Sequence, residues 1–242
     1  MIPIGLGLGI TGFPYFGHDI GGYMSLGTQP TSEELWRRWV TLGALSPVMR
    51  THHGRRARDN WSWETDAAAT EHFRRWATLH IRLFPYLYAL AADPGLPMMR
   101  PVALEHPDFE AGWTSTDQFL LGDRVLVAPV VVAGATERRV DLPPGDWFPL
   151  LDGPAVRGSP TVAAPTTEIP AFVPAGALLV LLPEGVDTLA PASDPGVVSL
   201  DDVGEDREIW IWPGGDSELV EANGLRYEWR GASLSGRPAT AT

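Results

Sequence analysis

The spacing of apolar residues predicts two kinds of structure that meet near residue 95. Residues 13–16 form a short aromatic run that predicts a strand leading into Asp19, and residues 44–49 predict a second strand leading into Arg50. Between them, residues 35–43 repeat their apolar positions at helical spacing. A strand, a helix and a strand in this order indicate a βαβ unit, whose two strands run parallel.

The sequence also marks where the helices of this first part begin and bend. Thr31 is followed three residues later by Glu34, a capping-box spacing that predicts Thr31 as the N-cap. A second helix is predicted from residue 66 to residue 92. Pro85 is expected to kink this helix, because proline has no backbone N–H to donate.

Beyond residue 95 the pattern changes to short runs with a period of two, which is typical of β-structure. Turns rich in Pro, Gly and Asp separate these runs. The predicted strands are residues 118–121, 125–132, 138–142, 169–173, 177–182, 209–212, 219–221 and 226–229. We therefore predict α/β structure over 1–95, a β-sandwich over 96–185 and a small distal β domain over 186–242.

The first part is too small to close a parallel sheet by itself. Two strand–helix units leave open sheet edges and uncovered helix faces, whereas a (β/α)₈ barrel takes roughly 250 residues. The apolar, uncapped residues 1–10 are typical of the interior of a longer domain. The pattern thus predicts that residues 1–95 are the C-terminal part of a (β/α)₈ TIM barrel, comprising its last two βα units.

The amino-acid composition excludes several types of reactive site and partner. The chain has no cysteine, and all 18 basic residues are arginine, so disulfides, thiolate metal sites and a Schiff-base lysine are excluded. The net charge of −12 argues against nucleic acid as a partner. No apolar run is long enough for a membrane span, and no signal-peptide pattern is present, so a cytoplasmic location is favoured.

Two motifs suggest cofactors and are given other interpretations. Gly7, Gly9 and Gly12 have dinucleotide-fingerprint spacing, but that fingerprint requires a strand before it and a helix after it. Close packing of these glycines near a barrel strand is favoured instead. His18, Asp19, His52 and His53 could be imagined as a metal cluster, yet no further ligand is evident. We predict neither a cofactor nor a metal.

Several motifs in series carry a resemblance to glycoside hydrolase family 31, which contains α-glucosidases, α-xylosidases and sulfoquinovosidases. In the barrel part they are GHDIGGY at 17–23, WRRW at 36–39, PVMRTH at 47–52 and RLFPYLY at 82–88. In the β part they are MRP at 99–101, DQFLLG at 117–122, LVAPV at 126–130 and IPAFVPAGA at 169–177. The resemblance covers about residues 8 to 185.

The resemblance implies a retaining, exo-acting α-glycosidase, most similar to the α-glucosidases, that hydrolyses O-glycosidic bonds. Such chemistry needs two carboxyl groups roughly 5–5.5 Å apart. In the family both are aspartates on strands before the segment that matches residues 17–23, and neither motif occurs here. We therefore assign no catalytic residue and expect the chain alone to be inactive. The missing barrel portion would lie in the same or a separate chain.

The resemblance also implies substrate-binding residues for a carbohydrate. Asp19 and His52 match positions that hold sugar hydroxyls, although Asp19 could also simply form the turn at the following glycines. Arg50 either pairs with a strand-end carboxylate such as Asp19 or contacts the sugar. Trp61 either stacks on a sugar face at the rim of the pocket or pins the loop to the barrel.

Tyr23 bears on which sugar is bound. Many α-glucosidases of the family carry Phe at the matching position, whereas sulfoquinovosidases carry Tyr, whose hydroxyl helps hold the sulfonate. Residues 51–61 also resemble the sulfoquinovosidase loop, with Arg55 in place of Asn and Ala57 in place of Pro. A sulfoquinovosidase is therefore one alternative. A non-catalytic carbohydrate-binding or interaction module is another, suggested by the β-rich C-terminal half.

Overall fold

A computed structural model describes residues 1–24, 29–54, 57–92, 95–231 and 233–238. Up to residue 95 it contains four α-helices, two strands and one 3₁₀ turn. In chain order these are α1 (Ile2–Ile10), β1 (Gly17–Asp19), α2 (Glu33–Ala44), β2 (Val48–Arg50), the 3₁₀ turn Ala57–Asp59, α3 (Ala67–Arg82) and α4 (Phe84–Ala92).

The predicted parallel pair is confirmed, with a correction to where its first strand lies. β1 and β2 run parallel, with Gly17 opposite Val48 and Asp19 opposite Arg50. The aromatic run at 13–16 precedes the strand, and Phe13 and Tyr15 are 61% and 54% exposed. Pairing begins at Gly17 because its missing side chain lets the strands approach, since a Cβ there would lie 3.0 Å from the Val48 Cβ.

Helix α2 begins one residue later than the capping pattern predicts. Its N-cap is Ser32, whose Oγ accepts a hydrogen bond from the Leu35 N–H at 3.3 Å. Thr31 is engaged elsewhere, and the Glu34 carboxylate accepts from the Gly134 N–H at 2.9 Å instead of closing a capping box. The helix also extends through Ala44, so the second strand begins later than predicted.

The predicted kink is confirmed as a full break between two helices. α3 ends at Arg82 and α4 starts at Phe84, which leaves Pro85 in the first turn of α4. Proline is tolerated there because the first-turn N–H groups have no partner within the helix. The other end of α3 is capped by Asp66, whose Oδ1 accepts from the Ala69 N–H at 2.7 Å.

Residues 2–10 form helix α1. Because Gly7 and Gly9 lie inside α1, the residues directly before the glycine motif are helical, and the motif lacks the strand–turn–helix context of the dinucleotide fingerprint. Gly9 does serve close packing, since a Cβ there would lie 2.8 Å from the Pro97 Cβ. In the described part of the chain, no helix combines the length and apolar character that crossing a membrane requires.

Residues from 95 onward are dominated by antiparallel strands. The strands are β3 (Met99–Arg100), β4 (Phe119–Leu121), β5 (Val125–Val127), β6 (Glu137–Arg139), β7 (Trp147–Pro149), β8 (Thr161–Ala163), β9 (Ala171–Pro174), β10 (Leu178–Leu181), β11 (Glu208–Ile211), β12 (Ser217–Val220), β13 (Leu225–Arg230) and β14 (Ser233–Pro238). The largest sheet in the described part of the chain has the strand order β3-β4-β5-β9-β7, and the smaller ones are β6-β8, β10-β11 and β12-β13-β14. Three short helices are α5 (Val102–Glu105), α6 (Glu110–Thr114) and α7 (Leu200–Val203).

Each of the eight predicted β-runs overlaps an observed strand, and β3, β7, β8 and β14 are additional. These four lack a clear alternating pattern in the sequence. The predicted boundary near residue 185 falls between β10 and β11, which pair with each other from Leu178–Ile211 to Leu181–Glu208. The division into domains 96–185 and 186–242 stays a prediction.

One large core joins the helices to the sheets. It contains Trp76 and Tyr86 from the helical part together with Phe119 and Val173 from the five-stranded sheet. The Tyr86 hydroxyl donates to the Leu121 carbonyl at 2.7 Å, and full burial raises the pKa of this phenol well above its ordinary range. The helices before residue 95 and the five-stranded sheet therefore share one core.

Candidate functional site

The carboxyl ends of β1 and β2 bring the first two candidate residues together. Asp19 and Arg50 are direct cross-strand neighbours, and Asp19 Oδ1 lies 2.7 Å from Arg50 Nε. Their side chains are 20% and 54% exposed, so the pair faces an open surface. Of the two roles considered for Arg50, the structure shows the ion pair with Asp19.

A tight turn follows Asp19, and we call residues 19–24 the Asp19 turn. The Gly22 N–H donates to the Asp19 carbonyl at 2.8 Å, and the Ile20 N–H donates to the Arg50 carbonyl at 3.0 Å. Gly21 has a φ of 83°, a left-handed conformation that glycine adopts without steric cost. This sharp reversal places Tyr23 directly opposite the segment that follows β2.

That segment, described at residues 51–54 and 57–65, is called the His52 loop. The Tyr23 and His52 rings stack with centroids 5.1 Å apart and planes 6° apart. The Gly54 N–H also donates to the Tyr23 carbonyl at 2.8 Å. A Cβ on Gly54 would lie 2.5 Å from Tyr23 Cζ, so the absent side chain leaves the space that the phenol ring fills. Arg55, which departs from the sulfoquinovosidase pattern, lies outside the described residues.

His18 points to the opposite face of the strand from Asp19. The Trp39 indole N–H donates to His18 Nδ1 at 2.9 Å, so the proton sits on Nε2 and is directed at Ser46 Oγ, 3.1 Å away. The Ser46 hydroxyl in turn donates to the Leu42 carbonyl at 2.7 Å. Burial lowers the pKa of His18 to about 4, which keeps it neutral. Across the described ranges no three His, Asp or Glu residues are placed to hold a metal ion.

A cleft of about 740 Å³ lies between the start of α2 and the His52 loop. Of the five predicted substrate-binding residues, His52 and Trp61 are among those that line it, whereas Asp19, Tyr23 and Arg50 are not. The Trp61 ring packs against the core, and its buried indole nitrogen has no hydrogen-bond partner among the described residues. These contacts hold the loop against the core, and the same residue also borders the cleft.

Two residues that the sequence does not single out as part of a site connect its two halves. The Thr31 hydroxyl donates to the Gly21 carbonyl at 2.7 Å, and the Thr31 N–H donates to Asn60 Oδ1 at 2.7 Å. Asn60 is buried despite its polar side chain. The only sequence signal at Thr31 was the capping pattern, which pointed to a different role. Asn60 lay within the loop resemblance at 51–61, which gave it no role of its own.

Residues 1–90 match the model of the glycosyl hydrolases family 31 TIM-barrel domain, and residues 95–179 match that of the glycosyl hydrolase family 31 C-terminal domain. The chain belongs to glycosyl hydrolase family 31. A portion of the family's TIM barrel is therefore followed by the family's C-terminal domain. The resemblance drawn from the motifs is confirmed.

Relatives and solved structures agree with this assignment. The sulfoquinovosidase of Escherichia coli (strain K12) is 41% identical over 176 residues, which cover 71% of this chain and 26% of that protein. A family 31 dextranase of Flavobacterium johnsoniae, complexed with glucose, superposes with a TM-score of 0.75 at 28% identity over 94% of this chain and 29% of its own. A family 31 sulfoquinovosidase from E. rectale, complexed with an aza-sugar inhibitor, has a TM-score of 0.66 at 31% identity, covering 70% of this chain and 26% of its own. The chain thus spans about a quarter of the length of these relatives.

Proposed function

We propose that this chain forms one wall of the sugar pocket of a retaining, exo-acting α-glycosidase of the α-glucosidase type. The observation that carries the proposal is the Asp19–Arg50 pair at the ends of two adjacent parallel strands. In (β/α)₈ enzymes the active site is built at this end of the strands. Arg50 orients the Asp19 carboxylate, so that its second oxygen can accept a hydrogen bond from a sugar hydroxyl.

The proposal includes the architecture that places this wall. Residues 1–95 would supply the last two βα units of the barrel, and the sheets after residue 95 would form a proximal β-sandwich and a smaller distal β domain. The parallel β1–β2 pair and the two adjoining family matches support this assignment. The remaining barrel segment would come from the same or a separate chain.

Asp19 acts in this proposal as a binding residue and not as a catalyst. A retaining mechanism needs a nucleophile and a separate acid/base carboxyl roughly 5–5.5 Å from it. Asp19 is the carboxylate that ends β1, whereas β2 ends in Arg50, with which Asp19 pairs. We therefore expect this chain to bind an α-glycoside and to need carboxylates from the remaining barrel segment for hydrolysis.

His52 and Trp61 complete the proposed wall. Both border the cleft beside α2, and His52 is held in place by its stack on Tyr23. An imidazole so placed can donate to a sugar hydroxyl, and the indole face can cover an apolar sugar face. In this arrangement the Tyr23 ring fixes the orientation of His52, and this role does not depend on what the Tyr23 hydroxyl contacts.

Sulfoquinovosidase activity is a second candidate, favoured by Tyr23. Its hydroxyl has no hydrogen-bond partner among the residues that the structure describes, and its side chain is exposed. A phenol in this state can donate a hydrogen bond to a sulfonate oxygen. Sulfoquinovosidases of Escherichia coli and Agrobacterium fabrum are 41% and 38% identical to the matched part of this chain.

The proposal is tested by titrating the chain with methyl α-glucoside and methyl α-sulfoquinovoside in a calorimeter. Asp19→Asn should weaken sugar binding by about tenfold or more, because a charge-assisted hydrogen bond contributes about 1.5–3 kcal/mol. Asp123→Asn, which alters an exposed aspartate paired with the adjacent Arg124 far along the chain, serves as the matched control and should bind normally.

Four results test these proposals. Preference for the sulfoquinovoside, lost in Tyr23→Phe, would favour the second candidate over the first. Binding of both sugars that Asp19→Asn leaves unchanged would instead favour a carbohydrate-binding module that uses another surface. Absence of binding to either sugar would contradict both glycosidase proposals, and hydrolysis of nitrophenyl α-glucoside by the chain alone would contradict the expectation of inactivity.

A further inference from the structure

The Asp19 turn and the His52 loop carry most of the proposed sugar contacts, yet they belong to different parts of the chain. β1 and β2 align only the bases of these segments, through three residue pairs. We propose that Thr31, a residue outside both segments, is the positioning residue that sets the distance between them. This inference rests on the proposed function for its consequence, but its geometry stands independently.

Thr31 contacts both segments through separate groups. Its hydroxyl donates to the Gly21 carbonyl in the Asp19 turn at 2.7 Å. Its backbone N–H donates to Asn60 Oδ1 at 2.7 Å, and its carbonyl accepts from the Trp61 N–H at 3.1 Å. The side chain of one residue therefore holds the turn while its backbone holds the loop.

The position of Thr31 is itself fixed. It immediately precedes Ser32, the N-cap of α2, and α2 buries Trp36 and Val40 in the core. A β-branched side chain has a restricted χ1 angle, and the Thr31 methyl lies 3.7 Å from where a Gly21 Cβ would stand. The hydroxyl is thus aimed from a rigid helix start.

The partners of Thr31 are arranged to receive these bonds. Asn60 is buried, so its amide oxygen would be costly to leave unpaired. Gly21 adopts a φ of 83°, and the resulting reversal of the Asp19 turn brings its carbonyl within reach of Thr31. We conclude that the Asp19 turn, the His52 loop and the start of α2 are joined by hydrogen bonds at Thr31.

The hydrogen bonds of Thr31 affect the site where the Asp19 turn and the His52 loop contact each other, on the side away from Thr31. Tyr23 of the turn stacks on His52 of the loop, and the Gly54 N–H crosses between them to the Tyr23 carbonyl at 2.8 Å. That hydrogen bond reports the separation that Thr31 sets. Because binding groups displaced by about 1 Å lose much of their effect, a loosened junction should weaken sugar binding.

Amide hydrogen exchange tests the inference without any ligand, since exchange rates report local opening. Thr31→Val removes only the hydroxyl and should accelerate exchange at Gly22 and Gly54 by about five- to tenfold, the effect of one lost hydrogen bond. Trp61, which is held by the Thr31 backbone, should exchange at its wild-type rate. Asn60→Leu is the complementary variant and should accelerate Trp61 and Gly54.

Two controls separate positioning from general destabilisation. Thr31→Ser keeps the hydroxyl and should restore slow exchange at Gly22 and Gly54. Thr41→Val removes a comparable hydroxyl-to-carbonyl bond, to Arg38 at 2.8 Å on the same helix, and should leave both amides unaffected. Unchanged Gly54 exchange in both Thr31→Val and Asn60→Leu, or equal acceleration in Thr41→Val, overturns the inference.

Calorimetry with methyl α-glucoside then tests the consequence. Thr31→Val should bind about threefold to tenfold more weakly, a loss expected for one hydrogen bond, and Thr31→Ser should recover the affinity. Wild-type affinity in Thr31→Val, despite faster Gly54 exchange, would overturn the link to binding. If the wild-type chain binds no sugar, the proposed function fails, whereas the exchange rates still decide the positioning role.

Discussion

At the scale of single residues, several side chains and glycines have their identity dictated by a neighbour. Gly122 is the sharpest case. It has a φ of 65°, and a Cβ there would overlap the Tyr86 hydroxyl and lie 2.7 Å from Leu90 Cδ1. The same hydroxyl is the donor that ties α4 to β4 through Leu121. Gly122 is therefore required both by its backbone conformation and by the helix packed over it.

Gly122→Ala should lower the free energy of unfolding by about 3 kcal/mol or more, because backbone strain adds to overpacking. Gly158→Ala is the matched control, since Gly158 has a φ of 70° but no atom within 4 Å of its Cβ position. It should cost only the conformational part, roughly 1–2 kcal/mol. Urea denaturation of the two variants measures the difference, and equal losses would contradict the packing argument.

His18 makes stability depend on pH. Its pKa is about 4 in the folded chain because burial disfavours the charged imidazolium, against 6.5 when unfolded. The unfolded state therefore binds more protons below pH 6.5, and stability present above that pH is lost as the pH falls. From pH 7 to pH 5 this residue should cost about 2 kcal/mol.

Comparing the pH dependence of two proteins isolates this contribution. His18→Asn should be less stable at neutral pH but should lose about 2 kcal/mol less between pH 7 and pH 5 than the wild type. His72 and His80, whose pKa values burial also lowers, contribute the same sign in both proteins. Parallel curves for the two proteins would show that His18 does not titrate as described.

At the scale of elements, helix α2 is the piece that joins the parallel strands to the sheets beyond residue 95. Arg38 pairs with Glu34 at 2.9 Å and donates to the carbonyls of Ala135 at 2.5 Å and Ala164 at 3.3 Å. Hydrogen bonding to Arg38 and to the Gly134 N–H lowers the pKa of the Glu34 carboxyl. One face of α2 thus serves as a connector.

Arg38→Met should lower the free energy of unfolding by about 1–3 kcal/mol, because two backbone carbonyls and one carboxylate lose their donor. Arg74→Met is the matched control on α3. Arg74 pairs with Glu71 on the surface, where both side chains are more than 60% exposed. That variant should stay within about 0.5 kcal/mol of the wild type, and similar losses in both would contradict the connector role.

The sequence predicts elements where periodicity or punctuation is strong. Parallel pairing of β1 and β2 and the break at Pro85 follow from local patterns. The strand predicted at 13–16 and the N-cap predicted at Thr31 are wrong because contacts with distant residues determine both features. Close approach to Val48 determines where strand pairing starts, and Thr31 forms hydrogen bonds with Gly21 and Asn60 instead of capping the helix. Strands of two or three residues, such as β3 and β8, carry no periodic signal.

Some features of the candidate site were predicted from the sequence, and others were not. Motifs in series identified the candidate residues, and the Asp19–Arg50 pairing was one of the alternatives they offered. The cleft beside α2 could not be predicted, because it depends on how the His52 loop folds back on the helix start. Asn60 Oδ1 accepts from the Thr31 N–H, which is distant in sequence, and no local pattern marks such a contact.

At the scale of the whole molecule, Arg82 connects the helices to the last sheets. Its Nη2 lies 2.6 Å from Glu208 Oε2, its Nε donates to the Leu182 carbonyl at 3.3 Å, and its guanidinium lies 5.5 Å from the centroid of the Trp210 ring. β11 is therefore held by both β10 and α3. Arg82 is buried, so the residues beyond the predicted boundary at 185 also shield a charge in the helical part.

The fit of the Tyr23 ring into the space above Gly54 also constrains how this protein can evolve. Any side chain at position 54 would displace the ring, and loss of the ring would leave the bare glycine backbone exposed to water. A change at either position is thus acceptable only after a compensating change at the other. Lineages that replace Tyr23 with another aromatic residue avoid this two-step barrier, whereas lineages that discard the ring must cross it.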